Sequence, residues 1–198
     1  MPSPIPRLSL THGQAVWALC SGEPASAQVL DQLRYLRQLG IPFNASELGT
    51  GRGNRILYNY DQLVETGVGL FGLRRGMRPI EIARLIIDNR QEFRRLYRKA
   101  YRDQPAAVIQ AFEIKNRDDG PVIFPVEMFL LLYDRFSDKP GTYEVIQSGN
   151  TDPVSPFAHL TRAYPAAEWA RTLLPLTNLV LDLVAWAREA PEIKPGRK

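Results

Sequence analysis

The chain has 198 residues, of which 44% are hydrophobic and 23% charged, and it carries a formal net charge of +4. These are the proportions of an ordinary globular protein with one large domain or two small ones. A single cysteine, Cys20, excludes an internal disulfide and a cysteine-cluster metal site, and His12 and His159 stand in no zinc-like spacing, so neither metal nor cofactor is expected.

No segment reads as a membrane span. The most apolar stretch, Leu173 to Ala187, contains Pro175 and Asp182 and falls short of the roughly twenty residues that a span requires. The start, Met1 to Arg7, has no basic stretch leading into an apolar run, so a cytoplasmic location is expected. The charge, however, is unevenly spread. Between Arg34 and Arg102 there are fourteen basic residues against six acidic ones, and thirteen of the fourteen are arginine. From Pro105 onward ten basic residues face twelve acidic ones. A positive excess confined to one segment is the electrostatic footprint expected of a nucleic-acid contact, and arginine's planar fork suits phosphates and guanine edges.

Residues 1–7, with three prolines, read as a disordered lead-in. Ser9–Thr11 offers a start for a short helix over Gln14–Leu19, which Ser21–Pro24 breaks. Ser26 is an acceptable N-cap for a second helix reaching Leu39, and Gly40 stands where a left-handed residue ends helices. Leu30, Leu33 and Leu36 fall on one side of it, and Gln28, Asp31, Arg34, Tyr35 and Gln38 on another. Between Phe43 and Tyr60 the glycine-rich, basic run Gly49–Arg55 and the strand-forming Ile56–Tyr58 predict a β-hairpin with Arg52 and Arg55 at its tip. The run lacks the Gly-Lys-Ser/Thr ending of a nucleotide loop. Asp61 caps a third helix that stops at Arg74–Gly76.

Pro79 suits the first turn of the next helix, which the pattern extends unbroken to Gln104. There Ile82, Ile86, Asn89, Phe93, Leu96 and Ala100 recur at intervals of 4, 3, 4, 3 and 4, a heptad seam with one polar member. The seam is expected to pair with a second copy; the competing reading is a surface helix packed on its own domain. Arg84, Arg90, Arg94, Arg95 and Arg98 occupy the other faces. Beyond Pro105, Ala107–Lys115 and Thr142–Gln147 read as strands, Glu127–Phe136 as a helix or a buried strand, and Gly149–Pro156 as a polar linker. A last helix is expected over Ala166–Ala190, kinked near Pro175.

Three stretches, in this order, resemble the MerR-like regulators. Leu33-Arg34-Tyr35-Leu36-Arg37-Gln38-Leu39-Gly40-Ile41 is similar to the family's Leu-Arg-Tyr-Tyr-Glu-x-x-Gly-Leu. Gly53-Asn54-Arg55-Ile56-Leu57-Tyr58 followed by Asp61-x-Leu63 resembles its Gly-Tyr-Arg-x-Tyr and Asp-Leu. Gly76-Met-Arg-Pro-Ile-Glu81-Ile82 resembles its Gly-Phe-Ser-x-x-Glu-Ile. The likeness covers residues 9–100. It departs from the family in a longer link between the first two helices, in Arg-x-x-Tyr for Arg-x-Tyr, and in Leu36 and Arg37 for tyrosine and glutamate.

The resemblance implies a mainly α chain with a small β wing. A winged helix-turn-helix DNA-binding domain would span residues 8–78, a long linking and dimerisation helix 79–104, and a mixed or mainly α effector, interaction or dimer-support domain 105–198. It also implies a homodimer on an inverted repeat of double-stranded DNA, with RNA polymerase as a further partner and a nucleoid-associated location. The second helix would present Gln28, Asp31, Arg34, Tyr35 and Arg37 to the major groove. Arg52, Asn54, Arg55 and Tyr58 would form the wing contacts, and Arg74, Arg75 and Arg78 would clamp phosphates. Ile82, Ile86, Asn89, Phe93 and Leu96 would make the dimer seam. An excisionase-like or plasmid-maintenance architectural protein is the alternative with the same fold. An enzyme is not expected, since Glu113, Glu127, Asp134 and His159 form no organised catalytic set.

Overall fold

The computed structural model describes residues 3–44, 47, 56–113, 126–135, 142–149 and 169–192. Among them are seven helices: α1 (His12–Leu19), α2 (Ala27–Gln38), α3 (Tyr60–Arg74), α4 (Pro79–Asp88), α5 (Arg90–Arg102), α6 (Ala106–Ala111) and α7 (Leu176–Glu189). Three strands, β1 (Val126–Arg135), β2 (Thr142–Gly149) and β3 (Trp169–Pro175), form one antiparallel sheet in the order β2-β1-β3.

Helix starts follow local chemistry. Thr11 and Asn59 each cap a helix in a reciprocal box, with Gln14 and Gln62 respectively reaching back to the cap backbone. Ser26 accepts from the Val29 amide, and Gly40 (φ 92°) sits just past α2 in the left-handed region. The third helix thus starts at Asn59 rather than at Asp61. The lead-in is pinned rather than loose: Ser3 is buried, and its hydroxyl donates to the Gln104 carbonyl at 3.1 Å.

Helix α3 lies at the centre of the molecule, buried on nearly every side, with α1, α2, α4, α5 and α7 packed around it. Close approach needs a missing side chain at Gly72, where a Cβ would lie 2.9 Å from Ile82 Cγ1. One continuous core runs from Leu10 and Leu33 through Ile82, Phe93 and Tyr97 to Met128, Leu174 and Val184. The boundaries expected at residues 78/79 and 104/105 therefore do not divide the core. Helix α7 packs on α1, where Trp17 and Trp186 meet edge-to-face at 5.2 Å, and Thr177 Oγ1 accepts from the Met128 amide at 2.9 Å. Strand β1 turns Met128, Leu130 and Leu132 to the helices, while Phe129 and Leu131 join Ile146 and Leu173 in a second cluster.

Several expectations are corrected. The long helix over 79–104 is two helices, α4 and α5, which meet at Asn89. Asn89 has left helical geometry (φ −112°, ψ 17°), and its Nδ2 donates back to the Leu85 carbonyl at 2.8 Å. The seam is internal: Ile82, Ile86 and Phe93 are fully buried in the chain's own core, and Leu96 packs against it. Burial, not a second copy, accounts for the heptad spacing. Residues 106–111 form a helix instead of a strand, because Pro105 opens a run of good helix formers. Trp169–Pro175 is a strand paired with β1, and Pro175 marks the start of α7 rather than a kink within a longer helix.

Candidate nucleic-acid interface

Helix α2 is held by Val29, Leu33 and Leu36, which are buried, and its remaining surface faces outward. Gln28, Asp31, Arg34, Tyr35 and Arg37 are all exposed, so the structure gathers these five residues on accessible surface of one helix. Arg34 pairs with Asp31 at 2.7 Å, both side chains mostly exposed, a contact weak enough to be exchanged for another partner. Leu30 and Tyr35, each 41% exposed, add apolar surface to the same helix.

Next to α2 the chain runs out through Ile41 and Phe43 and returns at Tyr58. Tyr58 exchanges both backbone hydrogen bonds with Leu10 (3.0 and 2.8 Å), so the returning segment pairs with the residue just ahead of α1. The Phe43 and Tyr58 rings meet edge-to-face at 4.9 Å. Tyr58 is only 5% exposed, its ring packed in the core. Its hydroxyl lies 3.2 Å from His12 Nδ1. Arg52, Asn54 and Arg55, the expected wing-tip residues, lie outside the described residues.

The turn from α3 to α4 presents Arg74 and Arg75 outward, with the Arg75 guanidinium 5.2 Å from the centre of the Phe71 ring. Arg78, at the cap of α4, lies 3.9 Å from the buried Glu81, and Arg84 approaches the same carboxylate at 3.7 Å.

The arginines of α5 are engaged differently. Arg90 and Arg94 close on the buried Glu65 of α3, at 2.7 and 3.2 Å, and Arg98 grips Asp61 through two nitrogens. Arg90 also donates to the Gly40 carbonyl at 2.6 Å, and Arg94 reaches Glu47 at 3.7 Å. Burial pushes the Glu65 carboxyl above its ordinary range, against the lowering pull of Arg90 and Arg94. Three arginines of α5 are therefore engaged by acids of the same chain, and Arg90 and Arg94 tie the root of the 43–58 segment to α3. The signal for this ladder lies in the sequence: acids at 61 and 65 match arginines at 90, 94 and 98 turn for turn. The reading of α5 as a basic surface missed it.

Among the described residues no group of three His, Cys, Asp or Glu side chains is placed to hold a metal ion, and no helix is long and apolar enough to cross a membrane. In comparisons with protein-family models, curated proteins and solved structures, nothing matched the chain.

Proposed function

We propose that the protein is a sequence-specific double-stranded DNA-binding transcription regulator that reads the major groove with α2. The observation that carries this reading is the exposed side of α2, where Gln28, Asp31, Arg34, Tyr35 and Arg37 stand together beside the root of a basic, glycine-rich segment. Side chains of this kind pair with base edges and phosphates, and a helix presenting them is of the size that enters the major groove. Arg52 and Arg55 would contact the flanking backbone, and Arg74 and Arg75 would meet further phosphates. The architectural reading gains from one observation: the seam that would have joined two copies is buried, which favours single copies set at phased sites.

Footprinting of the purified protein on its own upstream DNA, across a salt series, tests the proposal. The expected result is protection of a defined site, with affinity falling steeply as salt rises through counterion release. One symmetric site supports a regulator on an inverted repeat, and several phased sites support the architectural reading. Absence of protection at low salt would overturn both.

A further inference from the structure

A concavity of about 220 Å³ opens between the start of α1, the exposed side of α2 and the returning strand at Tyr58. Leu30 and Leu33 line it with carbon, Arg34 and Arg37 with positive charge, and His12 and Tyr58 with the hydrogen-bonded pair already described. Among the described residues lining it, none is acidic. The charged and titratable groups that line it with His12 are Arg34 and Arg37 of α2 and Tyr58 of the returning strand, and Arg34 is itself paired with Asp31 at 2.7 Å.

Two protonation states fit this geometry. With a neutral imidazole protonated at Nε2, the Tyr58 hydroxyl donates to Nδ1. With both ring nitrogens protonated, Nδ1 donates to the Tyr58 oxygen instead, which frees the hydroxyl hydrogen to turn toward the concavity. The second state gathers a cationic ring, a hydroxyl donor and the Arg37 guanidinium around one small space, beside the carbon of Leu30 and Leu33. An anion is what such a space lacks.

We infer that this concavity seats one backbone phosphate of the bound duplex, held by Arg37, the Tyr58 hydroxyl and a doubly protonated His12, so that binding DNA takes up a proton. This rests on the DNA-binding reading above. In the free protein, partial burial of the ring, followed by the Arg37 charge, holds His12 below its ordinary range. A phosphate in the concavity reverses the balance, because a neighbouring anion favours the charged ring. Duplex affinity should then rise as pH falls through the histidine range.

The test is duplex binding to the upstream DNA at fixed salt from about pH 8 to pH 5.5. It compares the wild-type chain with His12→Gln and with His159→Gln, which removes the other histidine of the chain. The wild type and His159→Gln are expected to tighten roughly three- to tenfold as pH falls, the net scale of one added hydrogen bond. His12→Gln should show a flat profile across the same range. A flat wild-type profile, or a pH dependence that survives His12→Gln, overturns the inference while leaving DNA binding intact. No duplex binding at any pH overturns the underlying reading instead. Should His12→Gln fail to fold, the wild-type His12 ring can be titrated by NMR with and without duplex. A midpoint that moves up on binding supports the inference, and one that stays in place overturns it.

Discussion

Arg90 joins the Glu65 carboxylate on α3 to the Gly40 carbonyl beyond α2, with bonds of 2.9 and 2.6 Å from one guanidinium. The side chain of Glu65 is 1% exposed and that of Arg90 13%. Removing Arg90 leaves Glu65 with Arg94 still beside it at 3.2 Å and takes the donor from the Gly40 carbonyl, and breaking a buried pair costs up to about 3–5 kcal/mol. Arg90→Met and Glu65→Ala should each lower stability to urea on this scale, and Arg84→Ala, on an exposed side chain, should not. Equal effects from Arg90→Met and Arg84→Ala would show that the pair contributes no more than a surface contact.

Gly72 gives a second check on the packing around α3. Alanine there gains roughly 1 kcal/mol of helix propensity. However, its Cβ would stand 2.9 Å from Ile82 Cγ1 and 3.3 Å from Met77 Sδ. Overpacking a filled core costs about 1–3 kcal/mol, so Gly72→Ala should be net destabilising. A melting temperature above wild type would mean that α3 and α4 lie further apart.

Phe93 separates the two readings of the heptad pattern. Fully buried in the chain's own core, it should cost about 3–5 kcal/mol on truncation to alanine. Denaturant unfolding measures that loss. If sedimentation instead showed a halved mass with unchanged unfolding, the residue would belong to an interface between copies.

The exposed arginines should divide by what they touch on DNA. Arg74→Ala and Arg75→Ala should weaken binding about equally on all sequences and each reduce the salt slope by about 1, as loss of one phosphate contact does. Gln28→Ala or Arg34→Ala should relax the preference for a particular base instead. A binding-site selection run on each variant distinguishes the outcomes, and unchanged preference in both α2 variants would place base reading on another element.

The free protein should also lose stability on the acid side. Burial, and behind it Arg37, hold His12 below the ordinary value of 6.5 in the folded chain. As pH falls, the unfolded chain takes up the proton first. The contribution is therefore complete above about 6.5 and is lost as pH drops toward the folded value. Melting near pH 5.5 should come earlier than near pH 7.5, and His12→Gln should narrow that gap. A gap of the same size in the variant would remove His12 from the account.

The elements most legible in the sequence were those with local punctuation. Ser26 and Gly40 bracket α2, and Leu33 and Leu36 lie on its buried side as the spacing implied, but Val29 takes the buried place expected of Leu30, which is 41% exposed. Position 89 was not legible, because a seam of Ile82, Ile86, Phe93 and Leu96 has the same spacing whether its partner is a second chain or α3. Nor was β3: Trp169–Pro175 runs without a break into an apolar helix, and its strand character comes from pairing with β1 some forty residues earlier. Arg90, Arg94 and Arg98 of α5 looked like surface because their partners, Asp61 and Glu65, lie on another helix. Charge counts along a chain record how many cations there are, while their accessibility depends on where the acids fold.

The packing of α7 on α1 and α3 has a consequence for synthesis. Helices α1 and α3 share their core with residues 176–189, so a ribosome must release that helix before the core can close. Until then Trp17, Ala18 and Leu19 keep an open side. Nascent protein should therefore pass through a long interval of exposed apolar surface, in which holding chaperones compete with aggregation. Fusing the first 78 residues alone to a reporter should leave that surface permanently uncovered.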